Sequence, residues 1–183
     1  MQFLRIPKDR IGALIGVNGK VKKEIEKRTN TKITVEDGNV SVDGDSLGIL
    51  TARDIVMAIG RGFSPEIAFR LFNEDTVLEV IRLSEILSSE RDMLRKKGRV
   101  IGRKGKMRRI IEGMTNTHIS VYGKTIGIIG SYENVDVARD AILKLIHGAQ
   151  HSSIYRFLEK SIRDLKESQT IDIDELYKDM DHP

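Results

Sequence analysis

The sequence predicts an α+β chain in which one unit of three strands and three helices occurs twice in tandem, followed by a further helix. Two observations carry this. The chain matches itself at a shift of 86 positions, which lays Ile15-Gly16 on Ile101-Gly102, Gly19-Lys20 on Gly105-Lys106 and Ile25-Glu26 on Ile111-Glu112. The register continues without a gap, with Thr29-Asn30-Thr31 on Thr115-Asn116-Thr117, Gly44 on Gly130 and Ala52-Arg53-Asp54 on Ala138-Arg139-Asp140. Inside each copy, stretches of helical period alternate with stretches of period 2. A chain of 183 residues has room for two small domains of roughly 70–90 residues each.

The elements follow in order. In the first copy "MQFLRI" reads as a strand, Pro7 opens a short helix, GVNG (16–19) turns the chain, and a helix runs to about Arg28. "TKITVED" and "NVSVDG" are two strands, and a helix starts near Ser46. Ser64-Pro65 opens a short connecting helix within 63–75. In the second copy "TVLEVIRL" (76–83) is a strand and "SSERDMLRKK" a helix leading to GRKG (102–105). Met107, Ile110, Ile111 and Met114 then recur at i, i+3, i+4, i+7, one face of a helix. "THISVYG" and "KTIGIIG" form a hairpin about Gly123-Lys124. Ser131 can cap the last helix, where Ala138, Ala141, Ile142 and Leu145 share a face. This divides the chain into a first domain over 1–62, the connector 63–75, a second domain over 76–150, and a C-terminal helix with an acidic tail over 151–183. No long Gly/Ser/Pro linker separates the copies, so they are expected to dock.

Composition excludes several functions. There is no cysteine, so disulfides, thiolate metal sites and cysteine nucleophiles are ruled out, in keeping with a reducing compartment. The first ten residues lack a signal-peptide core and no apolar run nears the roughly 20 residues of a membrane span, so a cytoplasmic protein with no membrane partner is expected. The net charge of +4 is unevenly spread. Arg91 to Arg109 holds Arg91, Arg95, Lys96, Lys97, Arg99, Arg103, Lys104, Lys106, Arg108 and Arg109 against Asp92 alone, and the tail holds Asp172, Asp174, Glu175, Asp179 and Asp181 against Lys178. A cationic stretch of that density favours a polyanion.

The glycine turns carry the chemistry. A helix N-terminus presents unpaired amides and a positive dipole end, and flanking glycines admit a phosphate backbone without a Cβ in the way. Gly16, Gly19, Gly102 and Gly105 supply that arrangement. A nucleotide phosphate loop needs four residues between its glycines and Ser or Thr after the lysine. Here there are two, and Lys20 and Lys106 are followed by Val21 and Met107, so a magnesium–triphosphate site is not expected. Aromatic residues are 5% of the chain and only Tyr122 falls near a glycine turn, which disfavours a base-stacking platform.

Ile-Gly-x-x-Gly-Lys, a helix, a Thr-Asn-Thr turn and an Ile-x-Val strand together resemble the KH domain in its eukaryotic-type (type I) order, a three-stranded antiparallel sheet packed against three helices. Such domains hold about four single-stranded nucleotides with the GxxG loop on the backbone. The resemblance makes Gly16-Val17-Asn18-Gly19 and Gly102-Arg103-Lys104-Gly105 the two clamps, with Lys20, Lys23, Lys106 and Arg109 beside them. Ile15 and Ile101, with the strands that hold Ile33 and Ile119, would border the base-binding grooves, some of these isoleucines being core instead, and Val35 and Val121 would be core. Arg103 and Lys104 stand where the first copy has Val17 and Asn18, so the second copy should bind more tightly and lose more with salt. Lys20, Lys22 and Lys23 offer the first copy some charge, interrupted by Glu24 and Glu26.

Two such copies, the first closed by "ARDIVMAIGRGFSPEIAFRLF" (52–72) and the second followed by a helical tail, resemble the archaeal KH proteins of small-ribosomal-subunit maturation. In eukaryotes the corresponding factor partners the endonuclease that trims the 3′ end of small-subunit rRNA, and its first GxxG has decayed, whereas GVNG stands intact here. The resemblance implies a single-stranded RNA-binding assembly factor for the 3′ region of that rRNA. It would work beside a maturation endonuclease or a translation or assembly factor, with no catalytic residue, cofactor or metal of its own. The rivals are a protein adaptor using the first domain as a docking surface, an exosome subunit, for whose extra RNA-binding barrel the chain has no room, and an enzyme. A metal centre in "DIDELYKDMD" is disfavoured because those carboxylates have few apolar anchors, and His147 with His151 lacks a third ligand.

Overall fold

A computed structural model describes residues 1–180, with side chains through Ser168. The first unit runs β1 (Gln2–Arg5), α1 (Lys8–Ile15), α2 (Lys20–Thr29), β2 (Thr31–Glu36), β3 (Asn39–Gly44) and α3 (Ser46–Gly60). After one α-helical turn, α4 (Pro65–Ala68), and a 3₁₀ turn to Phe72, the second unit runs β4 (Thr76–Arg82), a single turn α5 (Leu83–Ile86), α6 (Glu90–Ile101), α7 (Lys106–Thr115), β5 (His118–Tyr122), β6 (Thr125–Ser131) and α8 (Tyr132–Ile146). The helix α9 (His151–Met180) follows. The acidic tail's side chains, Asp172, Asp174, Glu175 and Asp179, together with Asp181, lie outside the described residues.

Each unit has a three-stranded antiparallel sheet with its last strand in the centre, β1-β3-β2 and β4-β6-β5. Register is set by alternation: Ile33 pairs with Val42 and Val35 with Val40, all facing the helices, while Lys32, Thr34 and Ser41 face outward. Asp37 and Gly38, both at positive φ, form the β2–β3 turn. The helices close over the inner face. In the first unit Leu14, Ile25, Ile55 and Ile59 are fully buried there, and in the second Val100, Ile111, Ile142 and Leu145. Asp45 caps α3 by accepting a hydrogen bond from the Gly48 amide at 2.9 Å. Ser131 occupies the same place before α8 but makes no side-chain cap bond.

The repeated Ile-Glu-x-x-Thr-Asn-Thr is a structural joint. Glu26 and Glu112 each accept the amide of the strand that follows, Ile33 at 2.7 Å and Ile119 at 2.8 Å. Thr29 and Thr115 donate back to the carbonyls of Ile25 and Ile111, and Asn30 and Asn116 end α2 and α7 in the left-handed conformation. These matches serve the helix-to-strand corner, not a ligand.

The two units are docked. Phe63 and Leu71, both from the connector, pack on the outer face of the second sheet, where Leu78 and Ile129 join the first unit's core. Gly127 makes room for this, since a Cβ there would lie 2.7 Å from the Phe63 ring. The side chain of Ser120 donates to the Arg61 carbonyl at 2.8 Å, and Tyr122 hydrogen-bonds Asp9. That hydrogen bond holds the Tyr122 hydroxyl above its ordinary pKa, since ionisation would break it and leave two anions together.

Candidate nucleic-acid interface

The two glycine loops have one backbone. Gly16 and Gly102 share φ +71°, Gly19 and Gly105 share φ +75°, and the residues between, Asn18 and Lys104, stand at +54° and +52°. The first glycine is required by packing: a Cβ on Gly16 would meet Val21 at 2.5 Å, and one on Gly102 would meet Met107 at 2.8 Å. The second has space around it, its nearest neighbour being the end of Lys23 at 3.7 Å or Arg109 at 3.4 Å. No side chain caps α2 or α7, so the positive end of each helix dipole opens onto the loop. Asn accepts the left-handed conformation readily, whereas Lys104 is held there at a cost of order 1 kcal/mol. The second loop thus keeps a cation at a backbone position that disfavours it.

Each loop follows a helix that ends on an isoleucine. Ile15 is 37% exposed and Ile101 half-buried, each at the end of the helix that leads into its loop. One turn earlier, Gly12 and Gly98 are mid-helix glycines, and a Cβ at either would have nothing within 4 Å of it. Each costs its helix about 0.5–1 kcal/mol relative to alanine, and no packing requires either. They leave the helix backbone bare on the face that carries Ile15 and Ile101. This pair was readable from the sequence, because Gly12 and Gly98 also match at the 86-residue shift. In the second unit the exposed Leu94 continues that face, and with Glu90, Arg91, Lys97, Gly123 and Lys124 it lines an open groove of about 520 Å³.

Two sequence expectations are corrected here. Ile33 and Ile119 are 1% and 4% exposed, within the sheet–helix core, so their side chains do not border a groove. Val35 and Val121, expected as core, are only partly buried and pack at its edge. Tyr122, the one aromatic expected near a glycine turn, belongs to the domain junction, on the outer face of its sheet.

The cationic cluster divides by task. Arg99 donates to the carbonyls of Leu145 and Ala149 at 3.2 and 2.6 Å, closing the C-terminal end of α8, and Lys97 donates to Gly123 at 2.9 Å. Arg10 makes the same closure in the first unit, on Ile59 and Phe63 at 2.8 and 2.6 Å, from a position one helical turn earlier in the repeat. Arg95 pairs with Asp92, and Arg108 lies 3.8 Å from Glu112. Arg91, Lys96, Arg103, Lys104, Lys106 and Arg109 have no ion-pair or hydrogen-bond partner among the described residues. Around the first loop Lys22 is paired with Glu26 at 2.7 Å, leaving Lys20 and Lys23 unpaired. His147 and His151 each bond a backbone carbonyl, of Leu143 and Arg99. The site therefore offers two shaped anion cradles, with more unpaired positive charge at the second.

Fold and loops together define a protein of two KH domains, and comparison with known families agrees. Residues 1–58 match the KH domain profile, and residues 77–163 match the profile of the second KH domain of PNO1, described as a eukaryotic type KH-domain (KH-domain type I). Across 98% of its length the chain is 45% identical to the KH domain-containing protein MJ0443 of Methanocaldococcus jannaschii, covering 85% of that protein. It superposes with a TM-score of 0.82 and 50% identity on a chain of the a/eIF2alpha-aDim2p-rRNA complex from Pyrococcus horikoshii, over 89% of this chain and 94% of that one. The pre-rRNA-processing protein PNO1 of Saccharomyces cerevisiae is 28% identical over 79% of the chain, which spans 50% of that longer protein. The chain belongs to the PNO1/Dim2 family of KH-domain proteins. It is an RNA-binding protein related to pre-rRNA-processing factors, and not an enzyme.

Proposed function

We propose that the protein is a cytoplasmic maturation factor that holds the single-stranded 3′ region of small-subunit rRNA. The observation that carries this is the second glycine loop: an uncapped helix start, two glycines in the left-handed region, and Arg103 and Lys104 unpaired between them. Fixed amides and a bare helix face suit an extended strand, whereas a duplex would present its phosphates on a wide surface that the groove cannot admit. The P. horikoshii relative was crystallised with rRNA and a/eIF2alpha, which supports rRNA as the ligand and a translation or assembly factor as a protein partner. The PNO1 relatives' names support a role in pre-rRNA processing, and work beside a maturation endonuclease is part of the same proposal. The first loop, uncharged at Val17 and Asn18, leaves the first domain able to serve that protein partner as well.

The test is the affinity for an oligoribonucleotide from the 3′ end of small-subunit rRNA, compared with the same oligonucleotide annealed to its complement and with a shuffled strand. Tight binding of the native strand, weakened tenfold or more by annealing or shuffling, is expected. Equal affinity for all three would overturn the assignment to that region.

A further inference from the structure

The helix α6 begins one turn earlier than its counterpart in the first unit. At the 86-residue shift Lys8, the first residue of α1, lies on Leu94, while α6 starts at Glu90. Ser89 secures the added turn by accepting the Asp92 amide at 3.1 Å, and Asp92 in turn pairs with Arg95 at 2.7 Å. The turn extends the bare helix face, because Arg91, Leu94, Gly98 and Ile101 recur at i, i+3, i+7 and i+10 on one side of α6. Arg91 stands roughly 15 Å along the axis from Ile101, at the end of that face away from the glycine loop.

The open groove of about 520 Å³ lies between this turn and the β5–β6 turn. Leu94, 69% exposed, and the stems of Lys97 and Lys124 give it apolar surface that suits the face of a base. Two of its cations are already engaged: Lys97 donates to the Gly123 carbonyl at 2.9 Å and Lys124 to Glu90 Oε1 at 2.8 Å. The third, Arg91, is exposed and has no ion-pair or hydrogen-bond partner among the described residues. The hydrogen bond from Lys124 also holds the Glu90 carboxyl below the usual carboxylate range, so it stays ionised and accepts only. Successive helix residues diverge by about 100°, so Arg91 and Glu90 flank what enters the groove, one as a forked donor and the other as an acceptor.

Bases differ in the order of groups along their edges. Guanine shows two acceptors and then a donor (N7, O6, N1–H), and cytosine does the same (O2, N3, N4–H), whereas adenine (N7, N6–H, N1) and uracil (O2, N3–H, O4) alternate. A guanidinium fork is satisfied by adjacent acceptors, and a carboxylate by a donor beside them. Resting on the RNA-binding reading above, we infer that Arg91 and Glu90 are a base-reading pair that selects guanine or cytosine over adenine and uracil at one nucleotide of the strand held by the second glycine loop. The first unit lacks the helical turn that carries this pair, so the selection belongs to the second domain.

Tetraribonucleotide pools, the length one such domain holds, test this on the full chain. One position at a time is fixed as A, C, G or U with the others randomised, and affinities are read by fluorescence anisotropy. At one position the G pool, the C pool or both are expected to bind about tenfold or more tightly than the A and U pools, and the stronger of the two identifies the base. Arg91→Gln replaces the fork by one donor and one acceptor, the pattern adenine complements. It should lower the ratio of that pool's affinity to the A pool's by about tenfold, at an exposed site where the fold loses no contact. No position preferring G or C overturns the inference. So does a uniform weakening of all pools in Arg91→Gln with their ratios intact, which would make Arg91 a phosphate contact. The RNA-binding reading fails separately, if the pools bind wild type and Arg103→Asp/Lys104→Asp alike.

Discussion

The first and second glycine loops differ by no more than 2° in the φ of their three left-handed residues, yet one carries Val17-Asn18 and the other Arg103-Lys104. The same contrast runs through the sheets. The outer face of β1-β3-β2 is open, with Phe3 74% exposed, while the equivalent face of β4-β6-β5 is covered by Phe63 and Leu71. Shape and surface are therefore set by different residues. Glycines, the Glu-to-amide bond and the Thr-Asn-Thr corner reproduce the backbone in both copies, and the side chains facing outward assign one copy more charge and the other an open sheet. A duplicated unit can change its ligand contacts without rebuilding its fold.

The largest effect expected from breaking this comparison lies in the sheets. Phe63→Ala removes a ring that fills the space above Gly127 and should cost about 3–5 kcal/mol, with the two domains separating into distinct transitions on thermal unfolding. Phe3→Ala on the open face should change stability by less than about 0.5 kcal/mol. Equal losses would show that the two faces are not as different as their burial.

The groove gives a prediction with opposite signs. Gly98→Leu should stabilise α6 by about 0.5–1 kcal/mol, because leucine is a far better helix former and nothing obstructs it, while it blocks the bare helix face and weakens RNA binding. Chemical denaturation and RNA titration on one variant read both signs. Gain in stability with unchanged affinity would remove Gly98 from the groove.

The smallest effect concerns the docked face. Burial and then the nearby Arg70 hold His118 below the usual imidazole pKa, with Glu112 opposing them. The unfolded chain then takes up the proton first, so stability is constant above about pH 6.5 and falls as pH drops below it. His118→Gln should flatten that limb of a stability–pH profile, and an unchanged limb would assign it to other groups.

Much of this was legible in the sequence because it is local. The 86-residue repeat, the periods of α7 and β5, and the glycine turns need only neighbouring residues to be read. Packing across the chain was not legible. The Arg10 and Arg99 closures join residues about fifty positions apart and sit at non-equivalent places in the repeat, so the alignment conceals them. Ile33 and Ile119 differ from Val35 and Val121 only in depth under the helices, which alternation does not specify. One missed signal was present: "TIGIIG" is apolar on both parities where "NVSVDG" alternates, and a central strand of that kind is covered on both faces.

The central claim is that the two clamps share a geometry and differ in charge, and salt dependence tests it most directly. The affinity of single-stranded RNA is measured against salt concentration for wild type and for Arg103→Val/Lys104→Asn, which gives the second loop the first loop's side chains. Each phosphate that is no longer neutralised lowers the slope of log K against log salt by about 0.7, so the slope should fall by about 1.4 while some binding persists. An unchanged slope would contradict the account, because Arg103 and Lys104 would then not be touching phosphate at all.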